Sequence, residues 1–128
     1  MSLTSSNLLI STGILHSGIG LLIPELRVPL LRIVTERTAQ IADVNDQYER
    51  QCSFWFQVAG IMMVSQGYLL RNYCQATRKK APQWFGWYLT GMGTVGVIVM
   101  PASGFWLILG QGMFILYQGD NTNNKKSK

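Results

Sequence analysis

The only histidine, His16, stands deep in a charge-free stretch running from Ser2 to Pro24. An ionisable side chain in an apolar segment of that length is costly, which makes it a functional-site hypothesis by default. Glu49 and Arg50 stand at the entrance to a second charge-free stretch, Gln51 to Leu70, and Ser103 lies in the middle of a third, Ala81 to Gly119. If the stretches are antiparallel helices, these groups reach one depth. His16 or Glu49 would then serve as acid or base in a dry pocket that shifts its pKa, with Arg50 binding an oxygen. Trp55, Trp106, Gln111, Ser103 and Asp46 would line the substrate. Isomerisation or cyclisation of a lipophilic small molecule needs no more than this, and no cofactor is expected.

Each residue also has a structural account. His16 can be a neutral imidazole bonded to a neighbouring helix. Asp46, three residues before Glu49, is spaced as in a capping box. Arg50 can snorkel to the headgroups or pair with either acid, and Ser103 can cap the helix that follows. One histidine and two separated cysteines make neither a bis-histidine haem nor a zinc site. No phosphate-cradling glycine loop is present.

The elements that must position these residues follow from where charge is missing. The chain has 128 residues, of which 13% are charged, against roughly a quarter in an ordinary soluble domain. Charge is confined to three blocks, and the runs between them have the length of spanning helices, about 17 to 25 residues. The third run is too long for one helix and breaks at Met100-Pro101-Ala102-Ser103-Gly104, where proline lacks a donor and glycine tolerates a turn. The expectation is an all-α, integral membrane four-helix bundle forming a single domain. Its spans are 6–23, 52–70, 84–100 and 103–117, followed by a polar tail 118–128. A re-entrant hairpin of the last two spans is the alternative, because the fourth is short. The first span has no basic amino end and no cleavage site, so it reads as a retained anchor rather than a signal peptide.

Four spans put both termini and the segment around Arg71 to Lys80 on one side. That side carries seven basic residues (Arg71, Arg78, Lys79, Lys80, Lys125, Lys126, Lys128) against four on the other (Arg27, Arg32, Arg37, Arg50). The positive-inside rule then predicts cytoplasmic termini. The net charge of +5 is accordingly a topology signal rather than a nucleic-acid footprint. Lys125-Lys126-Ser127-Lys128 is similar to a dilysine retrieval signal, which would mean the endoplasmic reticulum in a eukaryote; a plain basic tail in an inner or plasma membrane protein is the other reading. Phe54, Trp55, Phe56, Phe105 and Trp106 on the outer side, and Tyr68, Tyr73, Trp84, Trp87, Tyr88 and Tyr117 on the inner, suit interfacial belts. Cys52 and Cys74 lie about 33 Å apart along one helix and cannot pair.

The outer segment, Glu25 to Arg50, holds five of the six acidic residues. After Pro29 it sets Leu30, Leu31, Val34 and Ile41 opposite Arg32, Glu36, Gln40 and Asp43, as expected of an amphipathic helix on the surface or capping the bundle. Helix contacts in lipid rely on small residues and hydrogen bonds. The stripes expected to face inward are Gly13, His16, Ser17 and Gly20; Ala59, Gly60, Met63 and Gly67; Gly86, Thr90, Gly93 and Val97; and Gly104, Leu107 and Gln111.

In order, Gly13-Ile14-Leu15-His16 with Gly20, Arg50 before Phe54-Trp55-Phe56, Gly60 and Gly67, Pro82 with Gly86-Trp87, and Met100-Pro101-Ala102-Ser103-Gly104-Phe105-Trp106 resemble a family of short four-helix membrane proteins of unknown function from bacteria and fungi. That family is in turn similar to small membrane families such as DoxX-like proteins. The resemblance covers about residues 8–117. It implies the helix count and singles out His16, Arg50, Trp55, Ser103 and Trp106, but brings no activity with it. Two functional expectations follow. One is a cofactor-independent membrane isomerase or cyclase, and the other a non-catalytic membrane subunit that binds a small molecule or a partner. The bilayer and a lipophilic small molecule are the expected partners, with a homo-oligomer left open.

Overall fold

A computed structural model describes residues 2–36, 47–101 and 103–126, without the side chains of 2–3 and 119–126. Among these residues there are five helices and no strand: α1 (Ser2–Leu22), α2 (Pro24–Thr35), α3 (Tyr48–Thr77), α4 (Gln83–Val99) and α5 (Phe105–Lys126). The breaks follow from local chemistry. Pro24 opens α2 at its first positions, where the missing amide costs no hydrogen bond. Glu25 in the first turn and Arg32 in the last complement the helix dipole. Beyond Thr77, where α3 ends, Arg78 takes φ 53°, the left-handed conformation that commonly closes a helix. Pro101 forces Met100 out of helical geometry (φ −135°, ψ 73°) and so ends α4.

Several sequence boundaries shift, and α3 starts four residues before and ends seven residues past the expected span 52–70. The amphipathic helix begins at Pro24, not after Pro29, and runs through Pro29, which is buried. Its apolar positions therefore divide: Leu26, Leu30 and Ile33 are half-buried beside Pro29, while Val28, Leu31 and Val34 are exposed. Ile41, Gln40, Asp43 and Asp46 lie outside the described residues. At the other end, α5 continues past Tyr117 into the polar tail as far as Lys126.

The chain divides into two compact units, Thr12–Val64 and Met1–Ser11 with Ser65–Lys128. The second has the apolar core, in which Leu9, Leu70, Cys74, Ala81, Phe85, Leu89 and Ile115 are buried and Ile108 packs against them. Its α4 and α5 form a hairpin, and α1 meets α3 where Gly67 faces Ile10 and Ser6. In the first unit α1 and α3 meet at Gly13, Gly20 and Gly60, which are buried, as is Ser53, and among its described residues no large apolar side chain is enclosed.

The inward faces expected of α1 and α4 hold. That of α5 does not: Gly104 is open and Leu107 half-exposed, and the helix instead packs through Phe105, Leu109, Gly112 and Ile115. The contacts decide this. Leu109 lies over Gly93, and Gly112 lies against Thr90, where even a methyl group would come within 2.5 Å of the Thr90 amide nitrogen.

No single helix among the described residues is long and apolar enough to cross a membrane. The pair α1 and α2 reaches the required apolarity only together, with an 83° bend between them. Polar Thr4, Ser5, Ser6 and Asn7 take up the start of α1.

Candidate functional site

His16 is half-buried in the α1–α3 seam and its contacts are with Phe56. The imidazole stacks on the phenyl ring, with centroids 3.9 Å apart and planes 14° from parallel. Its Nε2 lies 3.2 Å from the Phe56 carbonyl oxygen. A carbonyl only accepts, so this bond requires the proton on Nε2, and in the neutral ring Nδ1 is then the acceptor. One residue on, the Gln57 side-chain amide donates to the Ser17 carbonyl at 3.2 Å. Two side chains thus tie backbone to side chain across the seam in opposite directions. The close approach they need depends on glycine: a Cβ on Gly13 would stand 2.8 Å from both the Gly60 carbonyl oxygen and the Val64 amide nitrogen, and one on Gly60 would collide with Ser17 Oγ.

Arg50 does not pair with Glu49. Its guanidinium forms an ion pair with Glu36, just past the end of α2, and so ties that end to the first turn of α3. Arg50 lies six residues before Phe56, about 9 Å along the helix axis. Glu49 is exposed, and its backbone carbonyl accepts from buried Ser53 Oγ at 2.8 Å. An open cleft of about 510 Å³ separates α2 from the start of α3. Glu25, Arg32, Tyr48, Glu49 and Cys52 line it with Pro24, Leu26, Val28 and Pro29. Of the three residues expected to be catalytic, Glu49 alone borders this cleft.

The other expected site residues divide between the units. Trp55 is exposed and meets Phe54 edge-on at 5.6 Å. Ser103, Trp106 and Gln111 belong to the second unit. Ser103 Oγ donates to the Met100 carbonyl at 2.5 Å and accepts from the Phe105 amide at 3.4 Å, which is the capping role. Trp106 is exposed, and its Nε1 donates to the Pro101 carbonyl at 2.9 Å. Gln111 is half-buried on α5. Asp46 lies outside the described residues. Cys52 is exposed; Cys74, four residues past the expected second span, is buried, and that burial pushes its thiol pKa up. Among the described residues no three His, Cys, Asp or Glu side chains gather as a metal site.

Sequence reasoning missed Gln57, Glu36 and the Glu25–Arg32 side of the cleft. The signal was there for the last, since residues seven apart share a helix face, but it can be read only once the helix is known to start at Pro24. Glu36 and Arg50 are fourteen residues apart across a chain reversal, and no periodicity reports that pair.

The two helix seams and the cleft depend on residues from most of the chain, and a family model covers nearly the same range, residues 2–122; its description is "Family of unknown function (DUF6463)". The chain belongs to DUF6463. Neither the curated proteins nor the solved structures include a match. Membership in DUF6463 brings no activity with it.

Proposed function

We propose that this DUF6463 member is a small membrane-embedded helical protein that acts as a non-catalytic binding or partner subunit. One observation carries the membrane part: small polar side chains are enclosed while many large apolar ones face outward. Ser6 and Ser53 are buried to 1% exposure or less, whereas Leu22, Ile98 and Val99 are each more than 70% exposed. In water such a surface costs about 25 cal/mol per Å² of apolar area, whereas against lipid tails it costs nothing. The glycine-mediated helix seams belong to the same solvent. The 83° bend suits an upright α1 with α2 lying along the interface. The likeness to DoxX-like membrane families belongs to this reading.

The non-catalytic part rests on His16. Its protonated nitrogen is bonded to a backbone carbonyl and one ring face is stacked, so the residue serves to set helix register. A cofactor-independent isomerase or cyclase acting on a lipophilic molecule is the second reading, favoured by Glu49 on the cleft wall. Cytoplasmic termini belong to both readings.

Alkaline carbonate extraction tests the membrane proposal. The protein should stay in the membrane pellet and be released only by detergent; release by carbonate overturns it. To separate the two functional readings, lipophilic molecules retained by wild-type protein and by Glu49→Gln are followed over time. Chemical conversion by the wild type that is lost in Glu49→Gln decides for the enzyme.

A further inference from the structure

Among the described residues, the α2–α3 cleft brings together three charges that stand without an ion-pair partner. Glu36 is taken by Arg50. Glu25, Arg32 and Glu49 all line the cleft, and none of the three is ion-paired among the described residues. Two carboxylates and one guanidinium on an open wall, with no ion pair among the three, match a ligand that carries a cation and an anion on the same short skeleton. A metal ion is the poorer match, because among the described residues no three ligating side chains converge. The walls between the charges are apolar, with Val28 and Pro29 on α2 and the Tyr48 ring on α3. Next to Pro24 at the rim, Leu21, Leu22 and Ile23 present exposed apolar side chains, a surface suited to acyl chains.

We propose that this cleft binds the headgroup of a zwitterionic phospholipid, with the ammonium between Glu25 and Glu49 and the phosphate on Arg32. The inference rests on the membrane reading above. Among the described residues of the cleft Glu25 and Glu49 outnumber the one guanidinium of Arg32, so an ammonium-bearing headgroup is preferred to an anionic one. Arg32 discriminates against a lone amine. The shared chemistry, an ammonium two carbons from a phosphodiester, is also found in a soluble glycerophosphoethanolamine, and the apolar rim is what selects the lipid.

The full-length protein is reconstituted in vesicles of equal phosphatidylethanolamine and phosphatidylglycerol, extracted in mild detergent, and its retained lipids are weighed by native mass spectrometry. The wild type should retain phosphatidylethanolamine over phosphatidylglycerol by about fivefold, the scale of one interfacial charge contact. Glu25→Gln with Glu49→Gln should bring the ratio to about one, and Glu25→Lys with Glu49→Lys should invert it. Folding of each variant is checked by its helical circular dichroism, and Arg32→Gln, a single change at an exposed position, should lower retention of both lipids if the double variants do not fold. No enrichment in the wild type, an enrichment ratio unchanged in a folded Gln pair, or total lipid retention unchanged in Arg32→Gln overturns the site. Displacement of the lipid by glycerophosphoethanolamine at equal concentration overturns the lipid assignment in favour of a soluble zwitterion. Failure of the membrane reading is separate, because it shows as release by carbonate before any lipid is weighed.

Discussion

A histidine that donates to a backbone carbonyl of the facing helix holds two helices at one register, because a slide of one residue would remove both the acceptor and the stacked ring. His16→Ala should therefore lower stability in detergent by about 1–2 kcal/mol, combining an interhelical hydrogen bond with a ring contact. His16→Gln, which keeps a donor but loses the stack, should recover part of that loss, as thermal unfolding would show; equal melting of all three proteins would remove His16 from the seam. Arg78 gives a test of opposite sign. At φ 53° a side chain is strained, so Arg78→Gly should raise stability by about 1 kcal/mol. The histidine's face was legible in the sequence, since Gly13, His16, Ser17 and Gly20 recur at helical spacing and all four meet α3 directly. Its partner was not, because hydrogen bonding to a main-chain carbonyl leaves no mark on residue type.

At the scale of elements, close approach decides which face of a helix is inside. In α5 nearly every position from Phe105 to Leu116 is apolar or glycine, so periodicity gave little purchase and the face was assigned about one residue out of register. Gly112 and Gly110 show the difference. A methyl group at Gly112 would meet the Thr90 amide nitrogen and Oγ1 at 2.5 Å, whereas at Gly110 it meets nothing within 4 Å. Gly112→Ala should therefore destabilise the α4–α5 hairpin by about 1–3 kcal/mol. Gly110→Ala should stabilise it by about 0.5–1 kcal/mol through helix propensity. The measurement is chemical unfolding followed by circular dichroism, and the same sign at both positions would contradict the packing described. The helices themselves were read within a few residues except where polar sequence continues a helix, as in α5 beyond Tyr117, or where proline opens one, as at Pro24.

For the whole molecule the prediction concerns sidedness, and the two cysteines are unequal reporters of it. Cys52 is exposed at the α2–α3 cleft, so a membrane-impermeant maleimide should reach it from outside in sealed vesicles or intact cells. Cys74 is buried and its thiol pKa is raised, so less of it is thiolate near neutral pH. Its labelling should be slow on either side and should speed up as pH rises toward its raised pKa, because the thiolate is the reacting form. A third position is needed for the cytosolic face. Arg78, Lys79 and Lys80 are exposed between α3 and α4 and belong to the basic segment that the positive-inside rule retains in the cytosol. Lys79→Cys should therefore be labelled only after permeabilisation, while Cys52 is labelled before it. Labelling of Lys79→Cys in sealed cells with Cys52 protected would invert the topology. Labelling of both without permeabilisation would mean that α3 does not cross the membrane between them, which would sink the spanning-bundle reading itself.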